Sequence, residues 1–230
     1  MTLISYATPQ DVRIQKAFSR AATEVEATGT PYKLTLINKS ASPWTLYVYQ
    51  QLPNQQSANV FSLAWFASPY QIVPGAQIQF QWTIDYTFVW GQTGTIQPGV
   101  TFSAGQTIDA DPSSINTTTF STSPGPNLSP AVAGPPSGSL IINDAANVPN
   151  NSFSVGIGMG SAGTFVTMAG PNLIHTFTPT PTYWIAAGTH VQVGTVLDIT
   201  TVTQNLQVQF PVNVYAVTCE LNTSNQWTQK

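Results

Sequence analysis

Two aspartates in the middle of the chain form the densest group of side chains that could do chemistry. Asp109 and Asp111 are followed by Ser113, Ser114 and Asn116, which could supply neutral oxygen ligands. Hard cations such as Ca²⁺ take oxygen ligands from flexible loops, so Asp109 and Asp111 are weak candidates for a calcium site. The run has no third nearby carboxylate and no EF-hand spacing with a terminal glutamate. A polar turn capped by aspartate is the favoured interpretation, and we predict no metal.

The histidines, the cysteine and one glycine-rich run also lack a catalytic pattern. His175 and His190 have no neighbours at zinc-ligand spacing, and the sequence has no nucleophile elbow that would complete a Ser-His-Asp triad. Cys219 lies in the alternating run 214–221 without an adjacent cation, so we predict a buried, unreactive thiol. Residues 158–163 lack the lysine of a P-loop and precede a strand pattern, which predicts a turn or bulge. We therefore expect no enzyme activity and no cofactor.

The distribution of charge excludes several classes of partner. Only 7% of the residues are charged, against about 25% in an average domain. Between residues 40 and 229 there are six acidic side chains and neither lysine nor arginine. Such a surface cannot neutralise phosphates or bind an anionic membrane through simple charge. We therefore expect no nucleic-acid partner.

No stretch of the chain has the pattern of a membrane or targeting segment. No apolar run approaches the roughly 20 residues that span a bilayer. The first six residues also lack a charged leader followed by a long apolar run. We expect a protein without a transmembrane segment. It is expected to be cytoplasmic, or exported without a recognisable signal peptide.

Residues 8–29 have the pattern of an amphipathic helix. Thr8 can cap the helix, Pro9 suits its first turn, and Gly29 can end it. Apolar residues recur at three and four positions; they are Ile14, Ala17, Phe18, Ala21, Ala22 and Val25. We predict that residues 1–31 form a helical arm. Its candidate self-association residues are Arg13, Lys16, Phe18 and Arg20.

The remainder of the chain, residues 32–230, predicts an all-β domain. Short alternating runs are separated by Gly, Pro and Asn, which is typical of a single β-sandwich of many short, mostly antiparallel strands. Two of the predicted strands cover residues 195–203 and 212–221. Residues 121–139 hold five of the eighteen prolines and predict a long loop.

Seven short strings between residues 32 and 229 are distinctive. They read LTLINKS at 34–40, YVYQ at 47–50, VFSLAWF at 60–66, FQWTIDYTFVW at 80–90, VGIGM at 155–159, PTYWI at 181–185 and FPVNVY at 210–215. In these strings the chain resembles the RhiA-like family of bacterial rhizosphere-induced proteins. The family's biochemical activity is undefined, so the resemblance implies no catalytic residue. The helical arm lies outside the pattern.

Charge segregation favours a structural protein that associates with copies of itself. Residues 1–39 carry five bases and three acids, whereas residues 40–229 carry six acids and no base. Contact between a basic arm and an acidic body, repeated from molecule to molecule, would build a ring or filament. Docking of the arm on its own body is the equally open alternative.

The aromatic residues provide a second hypothesis, a lectin-like sandwich that binds carbohydrate. Rings stack on sugar faces and neutral amides bind hydroxyl groups. Most rings fall at alternate strand positions and are expected in the core. The best exposed candidates are Trp44, after a Ser-Pro turn, and Trp227, near the carboxyl end. A third hypothesis is a membrane-active sandwich, because residues 38–45 are superficially similar to the start of actinoporin-like toxins.

Overall fold

The structure is a computed structural model that describes residues 29–52, 59–160, 162–180 and 182–230. The predicted arm, apart from residues 29–31, lies outside the described residues, as do its candidate association residues. In the described part of the chain, no helix is long and apolar enough to cross a membrane.

Regular structure in these ranges consists of β-strands, as the alternating runs predicted. The first nine are β1 (Tyr32–Asn38), β2 (Thr45–Gln50), β3 (Val60–Ser62), β4 (Phe66–Ala67), β5 (Gln77–Trp82), β6 (Tyr86–Gly91), β7 (Gln106–Ala110), β8 (Thr117–Ser121) and β9 (Asn127–Leu128). The others are β10 (Leu140–Asp144), β11 (Ser154–Met159), β12 (Ala162–Met168), β13 (Ile174–Phe177), β14 (Tyr183–Gly188), β15 (Asn205–Val208), β16 (Ala216–Leu221) and β17 (Trp227–Gln229).

The strands form four sheets, which we number I to IV. Sheet I has the order β17-β16-β1-β5, and sheet II has the order β15-β14-β2-β4. Sheet III has the order β3-β12-β11-β6-β7, and sheet IV has the order β13-β10-β8-β9. The pairs β1–β16 and β8–β10 are parallel and the other pairings are antiparallel, which confirms the predicted mostly antiparallel topology.

Sheets I and II share one hydrophobic core. Alternate residues of β1 and β5 point into it, among them Leu34, Leu36 and Phe80. Sheet II contributes Val48 and Ile185 from the other side. Because side chains of a strand alternate between its two faces, the period-two pattern in the sequence places these residues inside.

Sheets III and IV share a second core, so the prediction of a single sandwich is wrong. Phe88, Val155 and Phe165 from sheet III pack with Leu140 and Phe177 from sheet IV. A sandwich core is only about 10 Å thick, so a chain of this length buries its many apolar residues between two sheet pairs. The chain moves back and forth between the pairs, and neither pair is one continuous stretch of sequence.

Residues 195–203 were predicted as a strand but form a turn-rich segment of the connection from β14 to β15, two strands of sheet II. Val196 packs with the outer face of sheet III, whereas Leu197 packs with the outer face of sheet II. Asp198 Oδ1 accepts hydrogen bonds from the Thr200 backbone N at 3.1 Å and from Thr200 Oγ1 at 2.6 Å. This side-chain turn competes with ladder pairing, which is why the apolar run does not extend as a strand.

Candidate functional site

An apolar surface surrounds the point where the chain enters β1. The half-buried Tyr32 ring meets Phe210 edge-on, with ring centroids 5.1 Å apart, and Tyr215 at 5.3 Å. Ile84 lines one groove together with Tyr32 and Phe210. We call the surface formed by Tyr32, Ile84, Phe210, Val212 and Tyr215 the Tyr32 patch. It was not predicted as a site, because its residues come from three separate parts of the sequence.

A tight turn carries the most exposed member of this patch. The sequence predicted a strand over residues 212–221, but the strand begins only at Ala216. Pro211 has no backbone N–H to donate to a strand ladder. Its carbonyl accepts a hydrogen bond from Val214 N at 2.9 Å, and Asn213 adopts a φ of 63°, so residues 211–214 form a turn. The turn leaves the Val212 side chain 90% exposed. Pro211 and Asn213 were the sequence signals for this turn.

A groove of about 220 Å³ opens beside the Tyr32 patch. Its apolar side includes Tyr32 and Phe210, and its polar side includes Thr182, Gln207 and Gln209. The groove is smaller than the usual small-ligand pocket, and its lining combines ring faces with neutral polar groups.

Two buried polar atoms beneath this groove lack hydrogen-bond partners. They are the Tyr183 hydroxyl and the Trp82 indole nitrogen. The two rings lie 4.9 Å apart, and Trp82 stacks on Tyr32 with centroids 6.0 Å apart. Burial holds the pKa of the Tyr183 phenol well above its usual range, although its contact with the Trp82 side chain opposes part of that shift.

Two of the described lysines pair with one carboxylate at the far end of β1, and the third lies at the margin of the Tyr32 patch. Lys39 and Lys230 both contact the Glu220 carboxylate, at 2.7 and 2.8 Å. Lys33 and Asp85 are exposed and flank the Tyr32 patch, each next to one of its members in sequence. Since two of the five bases assigned to the N-terminal region lie on or beside β1, residues 1–28 carry three bases and three acids. The segment before β1 therefore has no net charge.

Comparison with known proteins gives the family. The RhiA family model matches residues 29–230. The chain belongs to the RhiA family. Protein RhiA of Rhizobium leguminosarum bv. viciae is 58% identical over 201 residues, which cover 87% of each chain. No solved structure matches the chain. The expected RhiA resemblance is confirmed, and the family model leaves residues 1–28 unmatched.

Of the two tryptophans predicted to be exposed in this RhiA-family chain, one is buried and the other is half-buried. Trp227 is only 8% exposed, so its predicted exposure is wrong; its indole nitrogen donates to the Gln204 carbonyl at 2.9 Å. The antiparallel pairing of β17 with β16 turns this ring into the core of sheets I and II. Trp44 is half-buried and donates to Ser40 Oγ at 3.1 Å. The buried Asn38 amide completes this turn by donating to the Ser42 carbonyl.

The structure places Asp109 and Asp111 at the end of β7 without a third ligand. Asp109 is exposed within the strand, and Asp111 follows it. Asp111 Oδ1 accepts from Ser113 Oγ at 2.5 Å and from Ser113 N at 2.7 Å. These hydrogen bonds hold the pKa of the Asp111 carboxyl below its usual range. No group of three potential metal ligands forms within the described ranges.

His175 has a partner that the sequence did not indicate. Its Nε2 lies 2.8 Å from Asp144 Oδ2, an oxygen that also accepts from Gly170 N at 2.9 Å. The pairing of β10 with β13 places both side chains on the core face of sheet IV. Asp144 is 5% exposed and its Oδ1 has no hydrogen-bond partner. His190 lies apart from this pair, in the exposed turn after β14.

Two other predictions about reactive residues are confirmed. Cys219 is completely buried, and burial raises the pKa of its thiol to about 12. The glycine-rich run forms the β11–β12 hairpin, with a register irregularity between Ile157 and Gly158. At Gly158 a Cβ atom would lie 2.5 Å from the Ala162 carbonyl oxygen, so the close approach of the strands requires glycine.

Proposed function

We propose that this RhiA-family protein is a non-enzymatic structural protein that self-associates, and that the Tyr32 patch is part of its contact surface. The observation that carries the proposal is the apolar turn between Phe210 and Tyr215, whose tip, Val212, is 90% exposed. Contiguous apolar surface of this kind marks an interaction site in soluble proteins.

The composition of the rest of the surface supports the same proposal. A net charge of only −3 provides little mutual repulsion between copies. Neutral glutamine and threonine side chains can also enter a contact without the large cost of desolvating ions. Charge therefore does little to oppose contact between two patches.

Sedimentation velocity of the full chain tests this proposal. We expect wild type to sediment as an oligomer at micromolar concentration and Val212→Asp to shift toward the monomer, because a carboxylate would be desolvated in the contact. Val73→Asp is the matched control: Val73 is 57% exposed and precedes β5 at the opposite end of sheet I. A wild type that stays monomeric at all concentrations would contradict self-association.

The groove beside the patch favours carbohydrate binding as a second candidate function. Tyr32 and Phe210 offer ring faces, while Gln207 and Gln209 offer amides. Sugar recognition uses this combination of stacking and neutral hydrogen bonds. Titration with a panel of millimolar sugars, followed by tryptophan fluorescence, tests it. Binding that is lost in Phe210→Ala would support it, and an unchanged spectrum with every sugar would exclude it.

A further inference from the structure

We propose that the Tyr32 patch receives the N-terminal segment, residues 8–29, of a second copy of this chain, and that two copies exchange these segments reciprocally in a dimer. This inference rests on the proposed self-association and identifies the element that makes the contact. It goes beyond the family match, which leaves residues 1–28 unmatched.

The segment has the apolar face that the patch requires. Its predicted helical stripe includes Ile14, Phe18 and Val25 along one side. With equal numbers of acids and bases, the segment has no net charge, so its docking depends on apolar contact rather than on attraction to an acidic body. A helix of about 20 residues is roughly 30 Å long, which is enough to cover the patch and the groove beside it.

The position of the segment brings it to the patch. It ends at Gly29, three residues before Tyr32, and Tyr32 is itself at the centre of the patch. When two patches face each other across a two-fold axis, each segment starts beside the partner's patch. A contact of this isologous type closes at two copies.

The connection to β1 favours exchange over folding back. Pro31 fixes its own φ and disfavours the helical conformation at Thr30, so the predicted helix ends before these two residues and only a short link joins it to β1. Only Gly29 remains to reverse the chain. Short hinges of this kind favour swapping of an element between copies. The segment of each molecule therefore leaves its own patch and lies on the partner's patch.

Site-directed cross-linking in the full chain tests the exchange. Phe18→Cys and Val212→Cys are prepared as separate chains with different tags, mixed, and treated with a short bismaleimide. The native Cys219 is completely buried and gives little background. We expect a cross-linked product that carries both tags. Thr23→Cys replaces Phe18→Cys in the control, because Thr23 lies on the opposite face of the predicted helix, and it should give at least tenfold less product.

The double variant Phe18→Cys/Val212→Cys separates exchange from folding back. Exchange predicts linked dimers in this variant, whereas a cross-link confined to single chains would overturn it. Absence of any cross-link between the two positions in an oligomeric sample would also overturn the exchange, while leaving self-association intact.

Sedimentation of Phe18→Asp provides an independent readout. Two buried phenylalanines are lost per dimer, so we expect the dissociation constant to rise about 100-fold or more. An unchanged dissociation constant would refute the role of the segment. A monomeric wild type would refute self-association and the exchange together.

Discussion

Substitution of Asn116 is the most direct test of how the proline-rich loop is held. Asn116 is 2% exposed and lies just before β8. Its amide nitrogen donates to the carbonyls of Gly134, Pro136 and Ser139 at 2.8, 3.0 and 3.0 Å. Its Oδ1 accepts from Gly134 N at 2.7 Å. One side chain therefore fixes the far end of the loop, and residues 122–139 contain only the two-residue strand β9.

The contacts of Asn116 give the size of the expected effect. Each hydrogen bond contributes a net of about 1 kcal/mol, and a buried group left without a partner costs about 1–3 kcal/mol. Two amide hydrogens are shared among three carbonyls, and the carbonyl of the exposed Pro136 can bind water after truncation, so the four contacts are not additive. We expect Asn116→Ala to lower the free energy of unfolding by about 3 kcal/mol.

Asn116→Asp should be less stable than Asn116→Ala at neutral pH, because it places a carboxylate against three carbonyl oxygens. Burial and these oxygens would raise the pKa of the new carboxyl in the folded state. A raised folded-state pKa means that the variant loses stability as pH rises above the unfolded value of about 3.9. The deficit of Asn116→Asp should therefore be larger at pH 7 than at pH 4.

Urea denaturation followed by tryptophan fluorescence measures both effects. Asn147→Asp serves as the control. Asn147 is exposed, and an aspartate at this position keeps the Oδ1 acceptor that contacts Thr122 N. The free energy of unfolding of this control should lie within about 0.5 kcal/mol of the wild-type value. If Asn116→Ala also lies within that range, or if Asn116→Asp is as stable as wild type at pH 7, the amide does not hold the loop.

Three further predictions concern the first and third sheets. Hydrogen bonds and charge from Lys230 and Lys39 lower the pKa of the Glu220 carboxyl. Wild type should therefore be more stable than Glu220→Gln at pH 7, and this difference should disappear as pH falls well below about 4.3. Thermal melts over this pH range measure the difference. Cys219 should resist a thiol reagent at pH 8 in the native protein and react fully in 6 M guanidinium; fast native reaction would contradict its burial. Gly156→Ala should prevent folding or lower the free energy of unfolding by more than about 3 kcal/mol, because the added Cβ would overlap a backbone carbonyl of β12. If this variant melts at the same temperature as wild type by circular dichroism, the prediction is disproved.

The local pattern of the sequence was sufficient to predict most of the strands. Alternating apolar residues predicted β1 and β5 because each has one face in a core and a polar or half-exposed opposite face. The same pattern failed at residues 195–203 and 212–215. There, side-chain turns at Asp198 and the Pro211–Asn213 pair prevent ladder pairing, and the apolar residues instead join two cores or remain exposed.

The candidate site was less predictable than the fold. Trp227 looked exposed from its place near the carboxyl end, but antiparallel pairing of β17 turns it into the core. The reverse holds for Val212, whose apolar side chain looked suited to a strand and is almost fully exposed. Exposure depends on which strands become neighbours, and sequence spacing carries little information on pairings between distant segments.

The sequence by itself determined the all-β class, the RhiA family, the scarcity of basic residues and the burial of Cys219. Each of these depends on residue type or on spacing within one strand. Only the tertiary structure divided the domain into two sheet pairs, joined Asp144 to His175, and brought Tyr32, Ile84, Phe210, Val212 and Tyr215 into one patch. These features depend on long-range strand pairing. Lys33 and Lys39, which the charge count had grouped with the N-terminal region, lie on or beside β1, so residues 1–28 carry no net charge.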